Sequence, residues 1–306
     1  MKVLDEFVSN LYVGEAQEFD GLRITPVFIR EDKALPYLDL EEALRRKVVE
    51  VTEVSEQGSV PTLLVKNLGD VDVIVLDGEE LVGAKQNRIV NTTIIIPARS
   101  TVEIPVSCVE ARRWGYNSRS FSTSANLSYA SLRARKHRSV TQNLRTSGVH
   151  RSDQGEIWGD IDAKMSRMRA TSPSAAMSDM YDASIGGEAE RRMDVEIQHR
   201  EGQVGYLAFV RGGFAGGDVF GSTELCRGKL KKFARSHYLD SLDREGASFP
   251  ALTVEEVVGQ VRAARQEQFA TVGKGAEVRF EAADVQGAWK LVDDFIPHLM
   301  VFPKLN

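Results

Sequence analysis

LDGEELVGAKQNRIVNTTIIIPARSTVEIPVSCVEARRW, residues 76–114, is the stretch on which the fold reading turns. Thr101 to Val109 alternates with a period of two, so that Val102, Ile104, Val106, Cys108 and Glu110 share one face. A carboxylate therefore closes an apolar row. The preceding strand, Arg88 to Ile96, puts Arg88, Val90, Thr92, Ile94 and Ile96 on one face and Ile89, Asn91, Thr93 and Ile95 on the other. A hairpin through Pro97–Ser100 would bring Arg88 and Glu110 to the same open end, given the right register.

Upstream, the chain offers four more strands: Gly21–Arg30, Lys47–Val54, Thr62–Asn67 and Val71–Leu76. Pro26 suits an edge or a bulge in the first of these. In the second, Val49, Val51 and Glu53 share a face. A short helix is expected over Leu40–Lys47, after Asp39. Six short strands separated by turn residues predict an N-terminal antiparallel sandwich or barrel-like sheet over residues 1–111.

Residues 112–151 differ in character. They hold nine Arg or Lys, no Asp or Glu, many Ser and Thr, and no clear period. The expectation is a basic connecting segment, a long loop that is either a solvated linker or an anion-binding element.

Residues 152–306 predict helices packed on a smaller antiparallel sheet, as a separate module or as one domain with the first. Asp153 and Glu156 have capping-box spacing ahead of the stripe Ile157, Ile161, Met165 and Met168. Ser172-Pro173 reads as the start of a helix with Ala176, Met177, Met180 and Tyr181 inward. Gln203–Arg211 is an apolar strand, and the glycine-rich run Gly212–Gly221 matches no phosphate-loop spacing, so it reads as a hairpin. Ser222 starts a helix with Leu225, Leu230, Phe233 and Tyr238 inward, and Thr253–Glu256 starts another on Val254, Val257, Val261 and Ala264. Strands near 277–282, 288–292 and 298–302 close an α+β chain.

Composition narrows the function. A 42% hydrophobic chain of 306 residues builds a full core, and a net charge of -5 argues against a dedicated nucleic-acid coat protein. Cys108 and Cys226 have no CxxC partner and the five histidines no i,i+4 partner, so neither a disulfide framework nor a metal motif is visible. Cys108 reads as a small buried hydrophobe. The N-terminus lacks a secretory signal and no window is apolar enough for a membrane span, so the expected location is cytoplasmic.

The chemistry concentrates in the polar blocks. Gly78 already meets the backbone need of its turn, whereas Lys85-Gln86-Asn87-Arg88 adds amide and guanidinium donors that suit phosphate, carboxylate or a base edge. Glu79, Glu80 and Glu110 are candidate acid–base groups if folding separates their pKa values. Lys85, Gln86, Asn87, Arg88, Asn91, Arg113 and Trp114 are candidate ligand-binding residues. A structural turn network explains the same residues.

The segments LDGEELVGAKQNRI, IPVSCVE with RRW, and more loosely VGYLAFVRGGFAGGDVFGS at Val204–Ser222 resemble the bacterial ARPP domain family, named for its association with ADP-ribosylglycohydrolase and rhodanese-phosphatase proteins. The resemblance covers most of the chain and brings no catalytic assignment or cofactor. It implies a link to NAD consumption or ADP-ribose, with Arg88 and Arg113 facing phosphate and Trp114 stacking on a base. Two alternatives stand beside that reading: a nucleic-acid-associated module acting through residues 112–151, and a non-catalytic protein-interaction scaffold.

Overall fold

The computed structural model describes residues 2–31 and 36–305. It is an α+β protein, as the sequence predicts, built on three sheets. Six antiparallel strands lie in the order Phe121–Leu127, Glu79–Gly83, Arg88–Val90, Ser100–Cys108, Thr62–Asn67 and Val49–Glu53. A three-stranded sheet of Ile94–Ile96, Asp72–Val75 and Tyr37–Asp39 packs against it, and their facing Val, Leu and Ile side chains form one core. The result is a small sandwich.

Arg88 to Ile96 is two strands rather than one. Val90 and Arg88 pair with Val106 and Cys108, whereas Ile94–Ile96 crosses to the second sheet and pairs with Val73–Val75. The corner is polar: Asn91 bonds the His150 carbonyl and Ser107, and Thr93 bonds His298. These side chains take partners outside the ladder and turn the strand. Arg88 and Glu110 still finish at the same end of the sandwich.

Strand Leu22–Ile29 leaves the sandwich altogether. With Leu11–Val13 and Gln17–Phe19 it joins Gln203–Val210, Gly213–Phe220, Phe295–Pro303, Val285–Val292, Ala276–Glu281 and Arg265–Phe269 in a nine-stranded sheet. The sheet that carries the helices is therefore the larger one. Pro26 is not on an edge: it pairs with Tyr206 on one side, and on the other it falls in the gap between the two short outer strands, where the ladder is interrupted.

Residues 112–151 are not a long loop. Phe121–Leu127 is a strand paired with Glu79–Gly83, and Ala130–Ser147 is a helix of 18 residues. The helix shows no apolar stripe because its buried face carries Arg133, Lys136 and His137 beside Leu132, Val140 and Leu144. Their partners come from distant strands, so hydrophobic periodicity does not register them.

The later elements follow the sequence signals. Asp153 caps Gln154–Met168, Ser222 caps Thr223–Leu242, and Thr253 with Glu256 forms a capping box on Val254–Ala263. Ser172-Pro173 is the exception: the helix begins at Met177, and the Ser172 hydroxyl accepts from the Ala176 N–H across an irregular turn. Gly212–Gly221 supplies a hairpin turn and its return strand.

Candidate functional site

Two loops build the mouth of the sandwich. The turn between Glu79–Gly83 and Arg88–Val90 contains Lys85, Gln86 and Asn87, and the chain leaving Ser100–Cys108 contains Glu110, Arg113 and Trp114. Hydrogen bonds fix each to the other. The Asn87 N–H donates to Glu110 Oε2 at 3.0 Å, and Gln86 Nε2 donates to the Glu110 carbonyl at 2.8 Å. Arg113 forks onto both Glu110 oxygens at 2.8 and 2.6 Å and also reaches the Ala84 carbonyl. The two polar blocks share one structure.

Arg88 lies beneath this layer with no exposed surface. Its Nη1 donates to Gln86 Oε1 at 3.1 Å, while Nε and Nη2 have no hydrogen-bond partner. Burial pulls its pKa down, and Cys108, Glu53 and Glu110 act against that pull. A guanidinium stays charged regardless. Each unmet buried donor of this kind costs about 1–3 kcal/mol.

The rim is aromatic. Trp114 and Tyr116 are about half exposed, and Lys85 Nζ sits 5.1 Å from both ring centres while donating to the Gln57 carbonyl. Arg88 is 5.8 Å from the Trp114 ring centre. Beside the rim is a cavity of about 610 Å³ lined by Thr52, Glu53, Ser55, Glu56, Tyr116 and Arg119.

Electrostatics separates Glu110 from Glu80. Burial would raise Glu110, but Arg113, the Asn87 N–H and Ser174 bring it below its ordinary value. Glu80 is pushed up to about 7, first by burial and then by Glu110, Asp182 and Asp179, against Ser124. Glu79 is neutralised by Lys229 at 3.2 Å and accepts from the Leu76 N–H.

The structure thus brings together Lys85, Gln86, Asn87, Arg88, Glu110, Arg113 and Trp114. It does not bring the other three. Glu79 is tied to Lys229, Asn91 is committed to the corner, and Glu80 shares the opposite face of the sheet with its partner Ile89. Glu53 was missed as a site residue. The signal was present, because Glu53 closes the apolar row Val49, Val51 just as Glu110 closes its own. Cys108 is buried, as expected, with its thiol toward Gln86 Oε1 and the Glu110 carbonyl.

A second polar assembly, also missed, is sealed between the sandwich and the large sheet. Arg133 joins Asp77 to Asp218, Lys136 joins Asp77 to the Val90 carbonyl, and His298 bridges Asp218 and Thr93. Glu277 holds His150, Arg279 and Thr92. These side chains are at most 6% exposed. They glue the two halves together rather than face a ligand. Among the described residues, no group of three or more His, Cys, Asp or Glu is placed to hold a metal ion. Nor is any helix among them long and apolar enough to cross a membrane.

This architecture defines the class: an α+β protein in which a small sandwich with a cationic, aromatic-rimmed mouth is fused through buried ion pairs to a large helix-backed sheet. The chain belongs to the ARPP-1 family, the ARG and Rhodanese-Phosphatase-superfamily-associated Protein domain, whose profile matches residues 10–302. That family is associated with the two superfamilies in its name. No curated protein and no solved structure matches the chain.

Proposed function

We propose that the mouth binds a phosphorylated, NAD-derived ligand of the ADP-ribose type. The observation that carries this reading is Arg88, a buried cation with two nitrogens unmet, set behind a half-exposed tryptophan. An anionic oxygen pair matches that fork, and a phosphate supplies one. Trp114 swings aside to admit it and then stacks on the base, with Lys85 and Arg119 adding positive charge at the rim. The family's association with the ARG superfamily points to the same ligand class.

Glu110 is held ionised by Arg113, so its role is to position the Asn87 and Arg113 side of the mouth. Glu80 has the pKa of a general acid or base but faces away from the cavity. The reading is therefore one of binding, with turnover decided by experiment.

Calorimetry with ADP-ribose and NAD tests it, together with chromatography of the mixtures after incubation. Binding by the wild type and a loss of about 100-fold or more in Arg88→Met is the expected result, since a buried charge-paired group is removed. No heat with either ligand, or equal affinity in both proteins, would sink the reading.

Nucleic acid is the weaker alternative. Of the four basic residues central to residues 112–151, Arg133 and Lys136 are 1% and 0% exposed, Arg135 pairs with Asp160, and Arg138 bonds the Leu305 carbonyl.

A further inference from the structure

We propose that Glu53 selects for ribose in this mouth, so that the ligand is a nucleoside diphosphate whose sugar keeps both cis hydroxyls. The inference deepens the reading of Arg88 and the Trp114 rim and rests on it.

Glu53 ends strand Val49–Glu53, on the face that Val49 and Val51 bury inside the sandwich. It is 8% exposed and it borders the cavity. Its Oε1 accepts one long hydrogen bond, from the Lys85 N–H at 3.4 Å, and its Oε2 has no hydrogen-bond partner. A buried carboxylate accepts and does not donate, so what it lacks is a donor. None of the mouth's cations forms an ion pair with it: Lys85 Nζ is on the Gln57 carbonyl, Arg88 is close enough only to feel its charge, and Arg119 lines the same cavity without reaching it.

Oε2 itself is sealed from solvent, and a backbone turn packs beside it. Gly58 has φ +78°, and a Cβ there would stand 3.3 Å from Glu53 Oε2 and 3.1 Å from Lys85 Cδ. Ordinary residues are strained at that φ, so no side chain from this turn supplies the missing donor.

Glu53 and Tyr116 line the cavity, and the proposed ligand lies across it toward Arg88. The base stacks at the rim on Trp114 and Tyr116, the phosphates go toward Arg88, and the sugar that joins them passes Glu53. Hydroxyls are the donors such a sugar carries, and a carboxylate that accepts from a ribose diol is the usual solution in dinucleotide sites. Glu56 also lines the cavity, but it is exposed and water competes for it. Desolvation makes Glu53 the discriminating group.

The test compares ADP with 2′-deoxy-ADP by calorimetry on the wild type, Glu53→Gln and Glu53→Asp, with melting curves to establish that each variant is folded. The wild type should bind ADP at least about tenfold more tightly, because a site built to hydrogen-bond a hydroxyl rejects the analogue lacking it. E53Q should bind both nucleotides within about twofold of each other. E53D, which keeps the charge but withdraws it by one methylene, should show a reduced preference. Equal binding of the two nucleotides to the wild type, an undiminished preference in E53Q, or binding of ADP-ribose without ADP would each overturn the assignment while leaving the Arg88 site standing. If neither nucleotide nor ADP-ribose binds, the reading of the mouth itself falls.

Discussion

Arg133 and Asp218 form a bidentate ion pair at 2.9 and 3.0 Å with side chains 1% and 0% exposed, and they do so across 85 residues of sequence. Arg133 also reaches Asp77, while Asp218 accepts from Tyr206 and pairs with His298. One guanidinium therefore ties a turn of the sandwich to a strand of the large sheet. Its geometry is close enough to offset the desolvation of both charges.

The first prediction concerns that tie. Asp218→Asn leaves Arg133 and its neighbours with uncompensated buried charge, and it should cost about 3–5 kcal/mol of stability. Urea unfolding at pH 7 measures it. A loss below about 1 kcal/mol would show that the pair contributes little beyond its packing.

Glu80 gives a prediction with a pH signature. Its folded pKa is raised from 4.5 to about 7 by burial and by neighbouring carboxylates, so the unfolded chain gives up the proton first. Stability is then fullest below pH 4.5, falls as pH rises through 7, and levels off above that. Glu80→Gln removes the penalty and should stabilise the protein at pH 8 by about 2–3 kcal/mol, with little effect at pH 4.5. Paired denaturation curves at the two pH values decide it; an equal effect at both would refute the assignment.

Arg88 should trade stability for binding. Because two of its nitrogens are buried and unmet, Arg88→Met fills the same space without that cost and should raise stability by about 1–2 kcal/mol in the absence of ligand. A destabilised R88M in ligand-free chemical denaturation would mean that Arg88 is a structural cation and not a binding group.

Gly287 tests the packing of the large sheet. A Cβ there would collide with the Met300 carbonyl and the Phe280 ring, both on neighbouring strands. Gly287→Ala should cost at least about 2 kcal/mol, as overpacking in a close-packed core does. Gly228→Ala, on an open helix surface with nothing nearby, should be neutral or mildly stabilising, and the contrast in melting temperature is the readout.

Local signals carried much of the fold. Alternation placed Ser100–Cys108, an apolar run placed Gln203–Val210, and caps at Asp39, Asp153, Ser222 and Thr253 placed helix starts, because all three depend on neighbours within a few residues. The same alternation showed that Glu110 and Glu53 close apolar rows, and the polar block showed Lys85 to Arg88. Which sheet each strand joined was decided only in three dimensions: Leu22–Ile29 pairs with Gln203–Val210, and Asn91–Thr93 turns out of its ladder toward His150 and His298. The helix Ala130–Ser147 was hidden for the same reason, since a buried arginine or lysine looks like a solvated one until its carboxylate arrives from elsewhere in the chain. Short-range pattern records what a residue needs from its neighbours; charge pairing, strand partnership and the unmet polar atoms of Arg88 and Glu53 are long-range, and folding alone sets them.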